Sequence, residues 1–234
     1  MSLLIALTAA ALSFTVSASA GLGGSLLLVP ALSLVLGTKE GVALSALLLA
    51  ANNVAKVIAY RRTIPLRPSI VVLVLTMLGT FIGARALVLS AETWATAFVI
   101  AGIVGSLIAE QVGLARLQRT STPILALGAG LTSGLSGTSG PLKGIALRNL
   151  RLDRLHLVGA ASIVSLAGDA TKLAVFTEAR LLGRESLTVL MLAIPLMLAA
   201  TLIGRHVNRQ MGELVFARLF WAVMAGYTVR LIVR

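Results

Sequence analysis

The sequence predicts an all-α, polytopic membrane protein, on the evidence of its composition and of its long apolar segments. Its 234 residues are 58% hydrophobic and only 12% charged, whereas soluble domains carry about 25% charged residues. Because too few polar side chains are present to cover a water-soluble globule, soluble enzymes and disordered chains are excluded. With no cysteine, disulfide scaffolds are excluded as well. We expect residues 1–234 to form a single integral membrane domain.

Six apolar segments have the length of about 20 residues that a membrane-spanning helix needs. They are residues 41–60, 69–89, 94–114, 155–177, 185–204 and 213–233. Two further apolar stretches, 1–38 and 120–147, contain glycine-rich breaks. As one helix, the first stretch would be roughly 57 Å long, too long for a bilayer core of ~30 Å. Each stretch is therefore predicted to be two short helices joined at its break.

The N-terminal apolar stretch ends at residues 18–20 in a form similar to a signal-peptide cleavage site. However, no Lys or Arg precedes the apolar run, and the run continues without charge to Thr38. We therefore interpret it as part of the mature chain.

The second half of the sequence repeats the first when the halves are aligned with a shift of 116 residues. A lysine inside an apolar run, in register with the glycine breaks, is not expected from apolar composition alone. We predict two repeats, residues 1–117 and 118–234. The coincident positions are Gly21 with Gly137, Gly24 with Gly140, Leu26 with Leu142, Val42 with Val158, Asn53 with Asp169, Lys56 with Lys172, and Tyr60 with Phe176.

Each repeat is predicted to contain one broken helical hairpin and three transmembrane helices. Whether the hairpin is re-entrant or crosses the bilayer twice, each repeat makes an odd number of net crossings. The two repeats are then inverted relative to each other, an architecture found in many secondary transporters.

The arginines between the spans predict the orientation, because cytoplasmic loops carry an excess of positive residues. We expect a multi-pass protein of the bacterial inner membrane with both termini outside, in the periplasm. The net charge of +12 is attributed to these loops at an anionic leaflet rather than to nucleic-acid binding. The expected cytoplasmic side holds Arg61, Arg62, Arg67, Arg116, Arg119, Arg148, Arg151, Arg154, Arg205 and Arg209, and the other side holds Lys39, Arg180, Arg184, Arg230 and Arg234.

The two glycine breaks are predicted to bind an anion near the bilayer midplane. Irregular backbone at this depth is tolerated only where protein or a water-filled cavity surrounds it. The helix after each break begins with free N–H groups and a partial positive charge, which attract anions. The alternative is that these small residues only allow close helix packing. The candidate residues are Gly21, Gly23, Gly24 and Ser25 at the first break and Gly137, Thr138, Ser139 and Gly140 at the second.

Three lysines are candidate cationic partners of the anion. Lys143 lies one turn past the second break, where a buried ammonium needs a partner or a function; alternatively, the hairpin is shallow and Lys143 reaches the headgroups. Lys56 and Lys172 lie near the ends of their spans and could snorkel to the interface, but their matched positions favour a site. Asn53 precedes Lys56 by three residues in the first repeat, and Asp169 precedes Lys172 by three residues in the second.

Two carboxylates are candidates for proton coupling. Asp169 lies three residues before Lys172, on the same helix face, so a structural ion pair is the alternative. Glu110 is the second candidate, although pairing with Arg116 at the interface is the simpler interpretation.

One motif indicates an enzyme. Residues 134–137 have the G-x-S-G form of intramembrane serine proteases, which need a histidine as general base. His156 begins the next span at the interface, too far from a midplane Ser136. We therefore expect no enzyme activity, no cofactor and no metal site. A protease using Ser136 and a passive anion channel stay open as alternative functions.

The ordered glycine motifs resemble those of the sulfite exporter TauE/SafE family of membrane permeases, over nearly the whole chain. The first motif, Gly21-Leu22-Gly23-Gly24, is followed by Val29-Pro30. A second glycine-rich copy spans residues 136–140, and a helix with the spacing Gly79-x-x-x-Gly83 follows the first basic loop.

This resemblance implies a permease for small sulfur-containing or organic anions, such as sulfite, sulfonates or thiosulfate. Alternating access would come from rocking of one repeat against the other. The expected partners are this small anion and the lipid bilayer, with no nucleic acid, and a homodimer is left open.

Overall fold

A computed structural model of the chain describes residues 25–111, 121–138 and 140–207, and this part contains eight α-helices and no β-strand. The prediction of an all-α membrane protein is confirmed. The helices are α1 Ser25–Leu36, α2 Thr38–Tyr60, α3 Leu66–Leu89, α4 Glu92–Gln111, α5 Thr122–Ser136, α6 Gly140–Arg148, α7 Arg154–Glu178 and α8 Arg184–Val207, with a 3₁₀ turn Arg61–Thr63 after α2.

Three segments of the described part are long and apolar enough to cross a membrane, namely Thr38–Thr63, Leu66–Leu89 and Leu155–Glu178. Their outer faces carry large apolar side chains: Ile70, Val74 and Leu78 on α3 are each about half exposed. Such a surface is stable in lipid but not in water.

The predicted spans correspond to helices over most of the chain. Segments 41–60, 69–89 and 155–177 fall within these three long apolar segments. Segments 94–114 and 185–204 correspond to α4 and α8. The sixth, 213–233, lies outside the described residues.

The second glycine-rich stretch is a helical hairpin. The chain leaves α5 through Gly137, whose φ of 72° lies in the left-handed region that glycine adopts at least cost. Helix α6 then folds back along α5, because Ile145 belongs to the same buried cluster as Leu125 and Ala126. The hairpin therefore returns toward the end from which it entered, as both the re-entrant and the double-crossing alternatives require. The first break lies outside the described residues, and α1 begins directly after it at Ser25.

The described residues form two compact units. The first contains the described residues up to Leu48 and those from Arg180 onward, and the second is Leu49–Ala179. In the first unit, the positive φ of Gly37 separates α1 from α2. Gly41 lies so close to α1 that an added Cβ would stand 2.4 Å from Ser33 Cα. The division into repeats 1–117 and 118–234 stays a prediction.

Within the second unit, α3 and α5 run parallel with their backbones in contact. A Cβ added at Gly79 would stand 2.2 Å from the Leu127 carbonyl oxygen, and one added at Gly134 would stand 2.4 Å from that of Thr80. The Thr76 hydroxyl also donates to the Ala126 carbonyl oxygen at 3.3 Å. Glycine is required here because any side chain would force the two helices apart.

Helix α7 also runs parallel to α3. At one end, a Cβ added at Gly159 would stand 2.4 Å from the Thr63 carbonyl oxygen. At the other end, Arg85 pairs with Glu178 at 3.0 Å. The first end also carries Arg61 and Arg62 and is called the arginine end below.

We expect Gly134→Ala to lower the free energy of unfolding by about 1–3 kcal/mol, the usual cost of overpacking. Its Cβ would meet the backbone of Thr80 and Ala84 at 2.4 and 2.5 Å. Thermal unfolding in detergent measures the effect. Gly105→Ala is the control, because nothing lies within 4 Å of its added Cβ. An equal loss of unfolding free energy in both variants would contradict the backbone contact between α3 and α5.

Candidate functional site

A partly open cavity of about 500 Å³ lies in the second unit, among residues of α2, α6 and α7. This volume falls within the range of about 300–1,000 Å³ that is typical of small-molecule sites. The cavity, called the cleft below, is lined by Tyr60, which directly precedes Arg61 of the arginine end. Its polar wall includes Asn53, Lys56, Tyr60, Arg148, Ser162 and Ser165.

Lys143 lies beside the cleft, deep in the unit. Its Nζ donates to the Ser165 hydroxyl at 2.8 Å, and Ser165 lines the cleft. Ser165 lies 11 residues after the first residue of α7 and 13 before its last. At 1.5 Å per residue it is therefore ~17 Å from the nearer helix end. This depth disfavours the alternative in which Lys143 reaches the lipid headgroups.

A buried ion pair borders the cleft. Lys172 Nζ lies 2.8 Å from Asp169 Oδ1, and the two side chains are only 1% and 8% exposed. Asn53 Nδ2 donates to the other carboxylate oxygen, Oδ2, at 2.7 Å. The pairing that the i, i+3 spacing predicts is therefore present. Asn53 and Asp169 are also equivalent positions of the two sequence repeats, since they are 116 residues apart.

The charges around this pair do not balance. Lys143 lies within electrostatic range of Asp169, Lys172 and Lys56. In this group of described residues, three ammonium groups against one carboxylate leave a net charge of +2. Burying unpaired charge is costly unless a counter-ion is near. The surroundings of the cleft therefore favour an anionic ligand.

The structure brings together some of the predicted site residues but not all. Asn53 and Lys56 line the cleft, Lys143 joins it through Ser165, and Lys172 borders it through Asp169. Gly137 and Thr138 lie in the turn of the hairpin and are not part of the cleft wall, while Gly140 begins α6. Ser25 begins α1 in the first unit. Gly21, Gly23, Gly24 and Ser139 lie outside the described residues, as does the side chain of Glu110.

Sequence reasoning missed several wall residues that helical spacing could have indicated. The missed Ser162 and Ser165 precede the predicted Asp169 and Lys172 along α7, and the four residues are separated by intervals of three, four and three residues. These intervals place them on one helix face. Tyr60 follows Lys56 by one turn in the same way.

Ser136 and His156 each have other partners. The Ser136 hydroxyl is buried and donates to the Thr132 carbonyl oxygen at 2.8 Å. The His156 ring bonds to Asp153, the N-cap of α7, at an exposed position. The backbone N–H of His156, with its ring and the Leu155 N–H, holds the pKa of Asp153 below its ordinary value. This arrangement gives no support to a protease dyad.

Comparison with known proteins gives one family match. The family model described as sulfite exporter TauE/SafE matches residues 5–231. The chain belongs to the sulfite exporter TauE/SafE family. No curated protein and no solved structure was found to match the chain.

Membership in the TauE/SafE family makes the chain a membrane transport protein. The family consists of transporters rather than enzymes, and the positive cleft of this TauE/SafE protein is therefore a candidate transport site. The resemblance drawn from the glycine motifs is confirmed.

We expect Lys172→Met to destabilise the protein by about 3 kcal/mol, because it leaves the buried Asp169 carboxylate with one hydrogen-bond donor fewer and no ion-pair partner. The double variant Asp169→Asn/Lys172→Met should lose less than the sum of its single changes, with a coupling above about 1 kcal/mol. Denaturant unfolding in detergent measures both values.

The exposed pair Arg85–Glu178 provides the matched control for this cycle. Arg85→Gln should cost less than about 1 kcal/mol, because water screens the pair. Additive effects at Asp169 and Lys172 would contradict a buried, coupled ion pair.

Proposed function

We propose that this TauE/SafE protein carries small anions across the bacterial inner membrane by alternating access, with the anion bound in the cleft between Lys56 and Lys143. The single observation that carries the proposal is the charge imbalance around Asp169, where Lys172 is buried, Lys143 lies deep and the exposed Lys56 lines the cleft. Three lysines face one carboxylate there, and that carboxylate is already held by Lys172 and Asn53. A bound anion would supply the missing negative charge.

The chemistry of the cleft favours an oxyanion. Ammonium and guanidinium groups at Lys56 and Arg148 attract negative oxygen atoms, and Tyr60 and Ser165 contribute hydroxyl groups. Sulfite, sulfonates and thiosulfate, which the family resemblance implies, each present several such oxygen atoms. The apolar wall leaves room for a short organic substituent.

The orientation belongs to the same proposal. Tyr60, which directly precedes Arg61 and Arg62, and Arg148 both line the cleft, so two arginine-rich segments adjoin it. By the positive-inside rule, we infer that this side of the cleft faces the cytoplasm and that both termini lie in the periplasm. Asp169 and Glu110 stay candidates for proton coupling.

We expect Lys56→Gln and Lys143→Gln each to reduce anion flux by about tenfold or more, since a hydrogen bond to a charged group contributes about 1.5–3 kcal/mol. Glutamine removes the charge and keeps a donor, so the Lys143–Ser165 contact can persist. Uptake of radiolabelled sulfite or a sulfonate into proteoliposomes measures the flux. Arg67→Gln, at an exposed position outside the cleft wall, is the control.

Unchanged flux in both lysine variants would show that the anion does not bind in this cleft. A thermal-shift series with sulfite, thiosulfate, a sulfonate and a carboxylate tests binding directly, because a ligand at 100 times its Kd stabilises by about 2.7 kcal/mol. Accelerated exchange against a trans gradient of the same anion would separate a transporter from a passive channel.

We expect Ser136→Ala to retain anion flux, because its hydroxyl bonds within its own hairpin. The lost hydrogen bond should cost about 1 kcal/mol of stability. Flux and cleavage of a transmembrane reporter are measured on the same preparation. Reporter cleavage that disappears in the variant would instead support the protease alternative.

A further inference from the structure

The Asn53–Asp169 hydrogen bond joins two equivalent positions of the sequence repeats. When two copies of a motif are related by a two-fold axis, a residue contacts its own equivalent only on that axis. The bond therefore marks a local pseudo-two-fold axis between α2 and α7. Residues that follow the pair along the two helices are then equivalent, namely Lys56 with Lys172 and Tyr60 with Phe176.

These equivalent residues have opposite environments. Lys56 and Tyr60 line the open cleft. Lys172 and Phe176 are buried, with 1% and 0% of their surface exposed. The local symmetry of the sequence is therefore broken in the structure. The side of the axis with Lys56 is open to the cleft, and the side with Lys172 is closed.

The chemical difference at the axis accounts for this asymmetry. Asp169 precedes Lys172 by three residues and pairs with it at 2.8 Å. Asn53 precedes Lys56 by the same three residues, but its amide is neutral and its Nδ2 is directed at Asp169. Within residues 25–111, 121–138 and 140–207, Lys56 forms no ion pair. The carboxylate thus neutralises one lysine of the equivalent pair and leaves the other facing the cleft.

We propose that Lys172 is a second anion-binding position, closed in this conformation, and that the Asp169 carboxylate holds it closed by occupying the place of the anion. The inference rests on the proposed function and extends it. A carboxylate and a small oxyanion both offer two oxygen atoms to one ammonium group. An anion that moves from Lys56 to Lys172 therefore takes the place of Asp169, which makes Asp169 a positioning residue for transport.

The test exchanges the two residues at the axis. Asn53→Asp/Asp169→Asn keeps the net charge, the side-chain shapes and the hydrogen bond between the positions, but it places the carboxylate three residues before Lys56. Because the chain contains no cysteine, Tyr60→Cys and Phe176→Cys each introduce a single reporter. Reaction with a membrane-impermeant maleimide, applied from either side of the membrane, measures their accessibility.

In the original background, we expect Tyr60→Cys to react at least about tenfold faster than Phe176→Cys, and we expect the exchange to reverse this order. Methanesulfonate should protect Tyr60→Cys in the original background and Phe176→Cys in the exchanged one. Ala161→Cys and Val175→Cys are second reporters for the open and the closed side. They are used if a protein that carries one of the first reporters does not fold.

An unchanged order in the exchanged protein would overturn the proposal, since a purely structural ion pair would not set accessibility. Reversal without protection of the newly exposed cysteine would contradict anion binding at Lys172. If the exchanged protein does not fold, Asp169→Asn alone must raise the reactivity of Phe176→Cys, and no rise would overturn the proposal. Absence of anion flux in the original protein, with reversal still present, would refute the proposed function instead.

Discussion

The structure of the second unit depends on one buried carboxylate that two helices share. Asp169 accepts a hydrogen bond from Asn53 on α2 and pairs with Lys172 on its own helix. These contacts satisfy both oxygen atoms of the carboxylate, without which its burial would be too costly. They also hold α2 against α7, which creates the wall of the cleft. With Asp169 neutralised by Lys172, the charges of Lys56 and Lys143 remain available to an anion.

The second constraint is the close contact of α3 with α5. Glycines at 79, 83, 130 and 134 let the two backbones approach to a distance that no side chain permits. The hairpin can then leave α5 at Gly137 and return as α6 inside the protein, where neighbouring helices rather than lipid surround its irregular turn. This return places Lys143 opposite Ser165. The close packing of α3 against α5 thus determines how deep the Lys143 side chain lies.

The sequence predicted the helical class, the second hairpin and the Asp169–Lys172 pair because each depends on local spacing. Hydropathy locates spans, a glycine–proline cluster interrupts a helix, and an i, i+3 interval sets a helix face. The internal repeat also matched Asn53 with Asp169, although it gave no reason to expect them in contact. Arg148, Tyr60 and Ser165 were missed as wall residues because their proximity depends on how α2, α6 and α7 pack. Hydropathy carries no information on that packing.

The glycine contact between α3 and α5 has a consequence for movement. Helix α3 comes from the first half of the sequence and α5 from the second, yet their main chains touch with no side chains between them. Such a joint cannot slide or hinge without losing its packing. The contact therefore joins the two halves of the sequence, which argues against the expected rocking of one whole repeat against the other. In the transport cycle proposed above, we expect the displacement to take place between groups of helices that each combine members of both halves.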